Sequence, residues 1–397
     1  MTRRSAASPE SQRISERVQG IPASGIRRFF DLLASMEGVI SLGVGEPDFV
    51  TPEVIRRAAI RSIEDGKTHY TSNFGLPELR ERISAHLERL YGVHYDPRTE
   101  VLVTTGVSEG LNLACQAVLN EGDEVLVPDP SYVAYPPNAT LAGGVVVHVP
   151  THASEGFRLH AEDLEQCATA RSRALVLGYP ANPTGAEMRR AEWDAVADVC
   201  VRHDLTVISD EIYDRLTYGV THTCAAALPG MRERTILLGG FSKAYAMTGW
   251  RLGWLCAPVP LLEAAMKVHQ YVMMSAPTVS QYAGIAALDH GEPSVQEMLT
   301  EYTRRRRLIV DGLNGLGLQC GEPEGAFYAF PDISPTGMTD EAFAETLLRE
   351  ERIAVVPGSA FGPGGAGHVR ACYATAYEQI EQSLERLTRF VQRHRAA

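Results

Sequence analysis

A single lysine in a glycine-rich loop is the residue of this sequence with the clearest chemistry. Lys243 lies in the segment 239–243 (GGFSK), directly after the apolar run 236–238, which predicts a buried strand. Lysine and arginine together number 37, yet only Lys67, Lys243 and Lys267 are lysines. Arginine can replace lysine as a solvated charge, whereas only lysine readily loses its proton and attacks a carbonyl to form an imine. Lys243 is therefore the first candidate for a Schiff base.

Ser108 is a second candidate nucleophile. Residues 106–110 (GVSEG) match the Gly-x-Ser-x-Gly pattern and lie between a predicted strand, 101–105, and a predicted helix, 111–119, which is the setting of a serine hydrolase nucleophile. Asp210 and His368 follow Ser108 in the chain order of a catalytic triad. This pattern by itself leaves a serine hydrolase open.

The same turn is also suited to bind a phosphate. A helix N-terminus presents unpaired N–H groups, and the hydroxyl of Ser108 adds another donor. Arg251, eight residues after Lys243, carries a fork-shaped guanidinium that pairs well with phosphate. The phosphate alternative is favoured because only it also accounts for Lys243 and Arg251.

Polar residues also follow two predicted strands. Asn182 lies in an Asn-Pro-Thr-Gly turn after the strand 174–177, and Asp210 and Tyr213 follow the strand 205–209. A carboxylate at the end of an apolar strand is costly unless it meets a cation. We therefore expect Asp210 to face a cationic group of a ligand.

These motifs together resemble a known enzyme family. The pattern Ser-Lys-x-x-x-x-Thr-Gly-Trp-Arg-x-Gly over 242–253 resembles the lysine signature of class I/II aminotransferases, relatives of aspartate aminotransferase that use pyridoxal 5'-phosphate. Residues 45–49 (GEPDF) and 209–213 (SDEIY) resemble further motifs of that family. The resemblance implies transfer of an amino group from an L-amino acid to a 2-oxo acid such as 2-oxoglutarate. A pyridoxal-phosphate lyase or synthase on the same scaffold stays an alternative.

The resemblance also implies roles for the cofactor site. Lys243 would hold the cofactor aldehyde as a Schiff base and move the substrate proton, and Asp210 would keep the ring nitrogen protonated. Asn182 and Tyr213 would donate to the phenolic oxygen of the ring. The other expected cofactor-binding residues are Gly106, Val107, Ser108, Tyr132, Ser242, Arg251 and Tyr70.

The substrate and the partner subunit follow from the same resemblance. Arg370 matches the arginine that binds the substrate α-carboxylate, and Gly45 matches a glycine beside that carboxylate. Tyr70 would reach across a homodimer to the cofactor phosphate of the partner. The chain departs from the family at Gly240, where many relatives carry a phosphate-binding hydroxyl, so Ser242 or a backbone group would compensate.

The substrate side chain is the least determined feature. Dicarboxylate-specific relatives often place an arginine in the segment that here is 273–277 (MMSAP), and no cation occurs there. Gln116 is the nearest match to a lysine that other relatives use. Arg27 or Arg28 could still supply the charge. We therefore expect neutral or aromatic amino donors, with aspartate as the second choice.

The elements that position these residues predict an α/β fold. Predicted strands alternate with helices over 51–290, which indicates a large domain with a mostly parallel sheet flanked by helices. A smaller α/β domain would combine an N-terminal segment, 1–50, with the C-terminal third, 291–397, in which 353–356 is predicted to form one strand. The glycine-rich stretch 362–367 precedes a predicted strand, so its context does not fit a dinucleotide-binding loop.

Composition excludes several other classes of protein. The 397 residues carry a net charge of −12 and no run of eighteen apolar residues, which disfavours nucleic-acid and membrane partners. The seven cysteines form no Cys-x-x-Cys pair, so we expect neither a metal site nor a disulfide framework. We expect a cytoplasmic enzyme.

Overall fold

The computed structural model describes residues 13–21 and 36–395. The α-helices of this part are α1 (Glu16–Gln19), α2 (Glu53–Glu64), α3 (Pro77–Tyr91), α4 (Val107–Val118), α5 (Tyr135–Leu141), α6 (Ala161–Cys167), α7 (Arg190–Arg202), α8 (Val259–Val272), α9 (Thr278–His290), α10 (Glu292–Gly315), α11 (Asp340–Glu351) and α12 (Tyr377–His394). The strands are β1 (Ile40–Ser41), β2 (Val101–Thr104), β3 (Glu124–Asp129), β4 (Val145–Pro150), β5 (Ser172–Leu177), β6 (Thr206–Asp210), β7 (Thr235–Gly240), β8 (Gly253–Cys256), β9 (Tyr328–Ala329), β10 (Ile353–Ala354), β11 (Val356–Pro357) and β12 (Val369–Cys372).

A seven-stranded sheet forms the centre of the larger part of the molecule. Its strand order is β2-β8-β7-β6-β5-β3-β4, and β8 alone runs antiparallel to its neighbours. Strands β3, β6 and β7 are buried along their whole length, as expected for parallel strands with helices on both faces. The predicted α/β fold with a mostly parallel sheet is confirmed, and the carboxyl ends of six strands meet at one edge.

Helix α3 shows how the sequence supplies the covering layer. Leu79, Ile83 and Leu87 recur at helical spacing and are buried against the apolar side chains of the sheet. A proline lies in the first turn, and Gly92 ends the helix with a left-handed backbone conformation. None of the helices in the described residues is long and apolar enough to cross a membrane.

A second core is formed by the C-terminal third and a short stretch near the N-terminus. Strand β1 pairs in parallel with β10, and β12 pairs antiparallel with both β9 and β11. Leu42 packs in this core with Phe343 and Phe390. Helix α10 spans both cores, since Val295 near its start belongs to the first and Ile309 to the second.

Three elements differ from the sequence-based expectation. The helix expected at 111–119 begins earlier, at Val107, so that Gly106 becomes its N-cap residue. The single strand expected at 353–356 is two strands, because the chain leaves the pairing with β1 after Ala354 and joins β12 at Val356. Strand β8 falls in the tryptophan- and glycine-containing end of the lysine motif, where no strand is expected.

We predict that Leu42 anchors the N-terminal stretch to the second core. Leu42→Ala should destabilise the protein by ~2–5 kcal/mol, because the leucine is 1% exposed and its removal leaves a cavity. Leu42→Met should cost less than ~1.5 kcal/mol. Urea unfolding followed by circular dichroism and by activity measures both changes.

The matched control is Val201→Ala on α7, where the valine is 43% exposed and the change should stay within ~0.5 kcal/mol. A Leu42→Ala variant as stable as the Val201→Ala variant would contradict this role for the N-terminal stretch.

Candidate active site

Two antiparallel strands, β7 and β8, hold the lysine loop at its base. Strand β7 ends at Gly240, which pairs with Gly253 at the start of β8. A Cβ atom added at Gly240 would lie 3.1 Å from both the Gly253 Cα and the Leu252 carbonyl oxygen. The close approach of the two backbones leaves little space for a side chain at this position, so a hydroxyl there would require the Gly253 backbone to shift.

The loop opens onto a cavity of about 460 Å³ at the carboxyl edge of the sheet. Parallel strands place their carboxyl ends and following loops at this edge, where α/β proteins usually bind ligands. Most of the expected site residues line the cavity together: Gly45, Val107, Ser108, Tyr132, Asn182, Asp210, Tyr213, Ser242, Lys243, Arg251 and Arg370.

Two expected residues lie outside this lining. Gly106 is behind it, directly under Arg251, since an added Cβ would approach Arg251 Nη2 to 2.9 Å. Tyr70 does not line the cavity and is 83% exposed. Arg27 and Arg28 lie outside the described residues.

Lys243 is a partly buried amine inside the cavity. Its Nζ donates a hydrogen bond to the Gly45 carbonyl oxygen at 2.6 Å. The rings of Tyr213 and Phe327 lie 5.7 Å from the same nitrogen, measured to each centroid. Burial lowers the pKa of Lys243 to about 8, since removing water disfavours the charged ammonium. The amine is thus close to the neutral form that a nucleophile or base requires.

Asp210 ends β6 on the floor of the cavity. Its carboxylate accepts hydrogen bonds from the Tyr135 hydroxyl at 3.1 Å and from the Ile212 N–H at 3.2 Å. Burial raises the pKa of Asp210 to about 6, and these two hydrogen bonds and the nearby Lys243 charge oppose that rise. A cationic ring nitrogen beside Asp210 would stabilise the ionised carboxylate, so this residue fits a protonated pyridine.

One end of the cavity has the features of a phosphate site. Gly106 has a φ of 75° and is the N-cap residue of α4, and among the described residues no side chain caps the first N–H groups of this helix, which suits an anion. Arg251 Nη2 lies 3.5 Å from Ser108 Oγ, and its Nη1 donates to the Thr248 carbonyl oxygen at 3.0 Å. Three kinds of donor therefore converge at this end of the cavity: backbone N–H groups, a hydroxyl and a guanidinium. The position of the guanidinium leaves space only for glycine at residue 106.

Arg370 stands at another wall of the cavity. Its Nη1 donates to Asn182 Oδ1 at 2.9 Å, and its Nη2 donates to the Gly43 carbonyl oxygen at 2.6 Å. The guanidinium also lies over the rings of Tyr328 and Phe361, 4.5 and 4.9 Å from their centroids. These contacts fix a guanidinium that could donate hydrogen bonds to a substrate carboxylate. The Asn182 amide nitrogen donates no hydrogen bond within the part of the chain that the structure describes, so it is available as a donor to a ligand.

Sequence reasoning missed two tyrosines of the site. Tyr135 donates to Asp210, and the Tyr328 hydroxyl lies 2.6 Å from the Tyr213 hydroxyl. A side chain at Gly45 would collide with the Tyr328 hydroxyl, which explains the glycine there. Tyr135 is the first residue of α5 and lies only three positions after Tyr132, so this proximity in the sequence could have indicated it. No local pattern marks Tyr328, because its partner is far away in the sequence.

The structure does not assemble the hydrolase triad. The His368 ring stacks on Phe330, 5.0 Å between centroids, and its Nδ1 contacts the Ala366 carbonyl oxygen. In the described part of the chain, His368 forms no hydrogen bond with Ser108 or Asp210. Within those same residues no cluster of side chains suited to a metal ion occurs.

Comparisons with known proteins agree with this geometry. Residues 37–387 match the family model of aminotransferase class I and II. The chain is 45% identical over 377 residues to an aspartate aminotransferase of Pyrococcus abyssi, with 94% of this chain and 97% of the relative covered. It is 43% identical over 377 residues to aromatic-amino-acid aminotransferase 2 of Thermococcus litoralis, with the same coverages.

A solved structure is similar over nearly its whole length. The crystal structure of an aromatic aminotransferase from Pyrococcus horikoshii OT3 has a TM-score of 0.89 and 45% identity, covering 93% of this chain and 99% of that one. The protein therefore belongs to the class I and II aminotransferases, and it is a transaminase that transfers amino groups. The lyase, synthase and hydrolase alternatives are not favoured. This family in general depends on pyridoxal phosphate.

We predict that the Lys243 amine titrates near pH 8 in the cofactor-free protein, because burial lowers its pKa. The chain has only three lysines, so ¹³C NMR of the reductively methylated protein should give few, separable lysine signals. Lys243→Arg should remove the signal that titrates near pH 8, whereas Lys67→Arg and Lys267→Arg should leave it. A Lys243 signal that titrates at about 10.4, the value of a solvated lysine, would contradict the effect of burial.

Proposed function

We propose that the protein binds pyridoxal 5'-phosphate in this cavity and transfers amino groups from neutral or aromatic L-amino acids to a 2-oxo acid such as 2-oxoglutarate. The proposal rests on one observation: the partly buried amine of Lys243, the buried carboxylate of Asp210 and the fixed guanidinium of Arg370 line the same cavity. When bound, the cofactor supplies a ring that accepts the electrons of a carbanion at the substrate α-carbon.

The residues present fit this cofactor. The N–H groups that follow Gly106, the Ser108 hydroxyl and Arg251 would hold the phosphate. Asp210 would pair with the ring nitrogen, and Tyr132 lines the cavity as an aromatic surface for the ring. Further donors for the phosphate and the phenolic oxygen are Ser242, Asn182 and Tyr213. Of the two compensations for Gly240, the hydroxyl of Ser242 is supported by its position in the cavity wall.

The protein's own groups then perform the proton transfer. With a pKa near 8, Lys243 Nζ could take the proton from the substrate α-carbon and pass it on to the bound cofactor, as the transfer of an amino group requires, without a large energetic cost. Arg370 would hold the substrate α-carboxylate and so fix the direction of the bond that loses its proton. Asp210, kept ionised by a cationic partner, would hold a proton on the ring nitrogen.

The charges of the cavity wall favour donors without a second carboxylate. Among the described residues that line it, the cations are Lys243, Arg251 and Arg370, and each has a task already. Glu46 adds a negative charge to the same wall and accepts a hydrogen bond from the Thr248 hydroxyl. A buried carboxylate without a cation is costly, so aspartate is the second choice as donor.

The acceptor 2-oxoglutarate differs from aspartate in the distance between its reacting carbon and its second carboxylate. The second carboxylate of 2-oxoglutarate is one methylene further from the reacting carbon, so it can extend toward the open side of the cavity beside the exposed Val44. Water there would hydrate it. The named relatives do not decide the donor, since one is an aspartate and another an aromatic-amino-acid aminotransferase.

We also propose that the enzyme works as a homodimer. Tyr70 and Tyr271 are 83% and 87% exposed, although large aromatic side chains are usually at least partly buried. The Thr278 hydroxyl donates to the His69 carbonyl oxygen, which places the Tyr70 loop beside the start of α9. This surface would face a second copy, with Tyr70 contacting the cofactor phosphate of that copy.

We place the enzyme in the cytoplasm. All seven cysteines are free, and six of them are buried. A chain with this many unpaired thiols suits a reducing compartment.

A donor panel tests the proposed reaction. With 2-oxoglutarate as acceptor, at least one of four neutral donors should have a higher kcat/KM than aspartate. The four donors are phenylalanine, tyrosine, methionine and alanine. Lys243→Ala should abolish glutamate formation, and Lys267→Ala, which removes an exposed lysine on α8, should not. Aspartate exceeding every neutral donor by more than ~100-fold, about 2.7 kcal/mol, would reveal a cation outside the described wall.

Hybrid dimers test the shared site. Tyr70→Ala should weaken cofactor binding by roughly 10-fold or more, since it removes a hydrogen bond to a charged group. At limiting cofactor, a refolded mixture of Tyr70→Ala and Lys243→Ala chains should recover about a quarter of the wild-type sites, because half of the dimers carry one intact site. Refolding each variant alone is the control. A mixture that regains no more activity than the separate variants would contradict a Tyr70 acting between subunits.

A further inference from the structure

His269 is a fully buried histidine in an apolar stripe of α8. The stripe runs through Leu262, Ala265, Met266 and His269, which recur at helical spacing, and it packs on α4. The histidine is 0% exposed. Its position in the pattern would suit a leucine, so a polar ring there calls for a specific partner.

The partner is a glutamate of the phosphate-binding helix. His269 Nδ1 lies 2.6 Å from Glu109 Oε1, and the other carboxylate oxygen of Glu109 accepts the Thr105 N–H at 2.5 Å. Thr105 directly precedes Gly106, whose φ of 75° sets the direction in which α4 begins. The ring of His269 therefore connects through one carboxylate to the backbone of the turn.

The charge of Glu109 needs this arrangement. Glu109 follows Ser108 in the first turn of α4, so a free carboxylate there would repel a phosphate bound at the helix N-terminus. Successive helical residues point about 100° apart, which lets Glu109 face α8 while Ser108 faces the cavity. The contacts with His269 and with the Thr105 N–H hold the carboxylate in that direction.

We propose that His269 is a positioning residue for the phosphate turn: through Glu109 it fixes Thr105 and Gly106 in the conformation that presents the first N–H groups of α4 to the cofactor phosphate. The inference rests on the proposed cofactor. It deepens that proposal by assigning a task to a buried pair that does not line the cavity.

The test compares two ligands that differ only in the phosphate. Cofactor-free protein is titrated with pyridoxal phosphate and with pyridoxal, and binding is followed by absorbance. His269→Leu and Glu109→Ala should each raise the Kd for pyridoxal phosphate by at least ~10-fold, and the Kd for pyridoxal by less than ~3-fold. The double variant should bind no more weakly than the weaker single variant, because both changes break one connection.

Matched controls separate positioning from general packing. Glu109→Gln keeps an oxygen for the Thr105 N–H, so its Kd for pyridoxal phosphate should stay within ~3-fold of wild type. His86→Leu changes another buried histidine, which lies on α3 against Trp254, and should alter neither Kd. If His269→Leu fails to fold, the difference in the Kd for pyridoxal phosphate between Glu109→Ala and Glu109→Gln tests the proposal instead.

Three results would overturn the proposal: equal weakening of both ligands, no weakening of either, or additive effects in the double variant. A wild-type protein that binds no pyridoxal phosphate would sink the proposed cofactor instead. In that case ³¹P NMR with inorganic phosphate decides the role of the turn. If wild-type protein binds phosphate and His269→Leu weakens that binding, the positioning role of His269 is supported. If wild-type protein binds no phosphate, or if His269→Leu binds it equally well, the positioning role is overturned.

Discussion

A buried guanidinium is the constraint on which the arrangement of this site depends. Arg370 is 5% exposed, and a buried charge is tolerated only with partners of good geometry. Its two hydrogen bonds go to Gly43 and Asn182, so one side chain joins the stretch after β1, the turn after β5 and strand β12. The two cores are therefore held together at the point where a substrate carboxylate would bind.

Burial also shifts two further charged groups of the cavity, Asp210 and Lys243, toward their neutral forms. It raises the pKa of Asp210 to about 6 and lowers that of Lys243 to about 8. A ligand that brings a cationic nitrogen and anionic oxygens would restore the charges that burial disfavours. The cavity is thus matched to a ligand of mixed charge more than to an apolar one.

The sequence predicts the elements and most of the cavity wall, because strand ends, glycine turns and the lysine motif are local patterns. Lys243, Asp210 and Asn182 each follow an apolar run, and parallel strands bring such ends together. Contacts between distant segments are different. Tyr328 contacts Tyr213 and His269 contacts Glu109, and the sequence around each residue contains no pattern that indicates its partner. The order of strands within the sheet also depends on contacts between distant segments, so local patterns do not predict it.

The antiparallel direction of β8 limits how far the length of the loop between β7 and β8 can change. Because β8 returns beside β7, the carboxyl end of one strand and the amino end of the other lie at the same edge, and a single loop of twelve residues, 241–252, carries both Lys243 and Arg251. The backbone contact of Gly240 with Gly253 closes that loop at its base. An insertion or deletion inside it would shift the amine and the guanidinium together, so the loop length is a property that evolution or engineering can change only by rebuilding both ends of the ligand site.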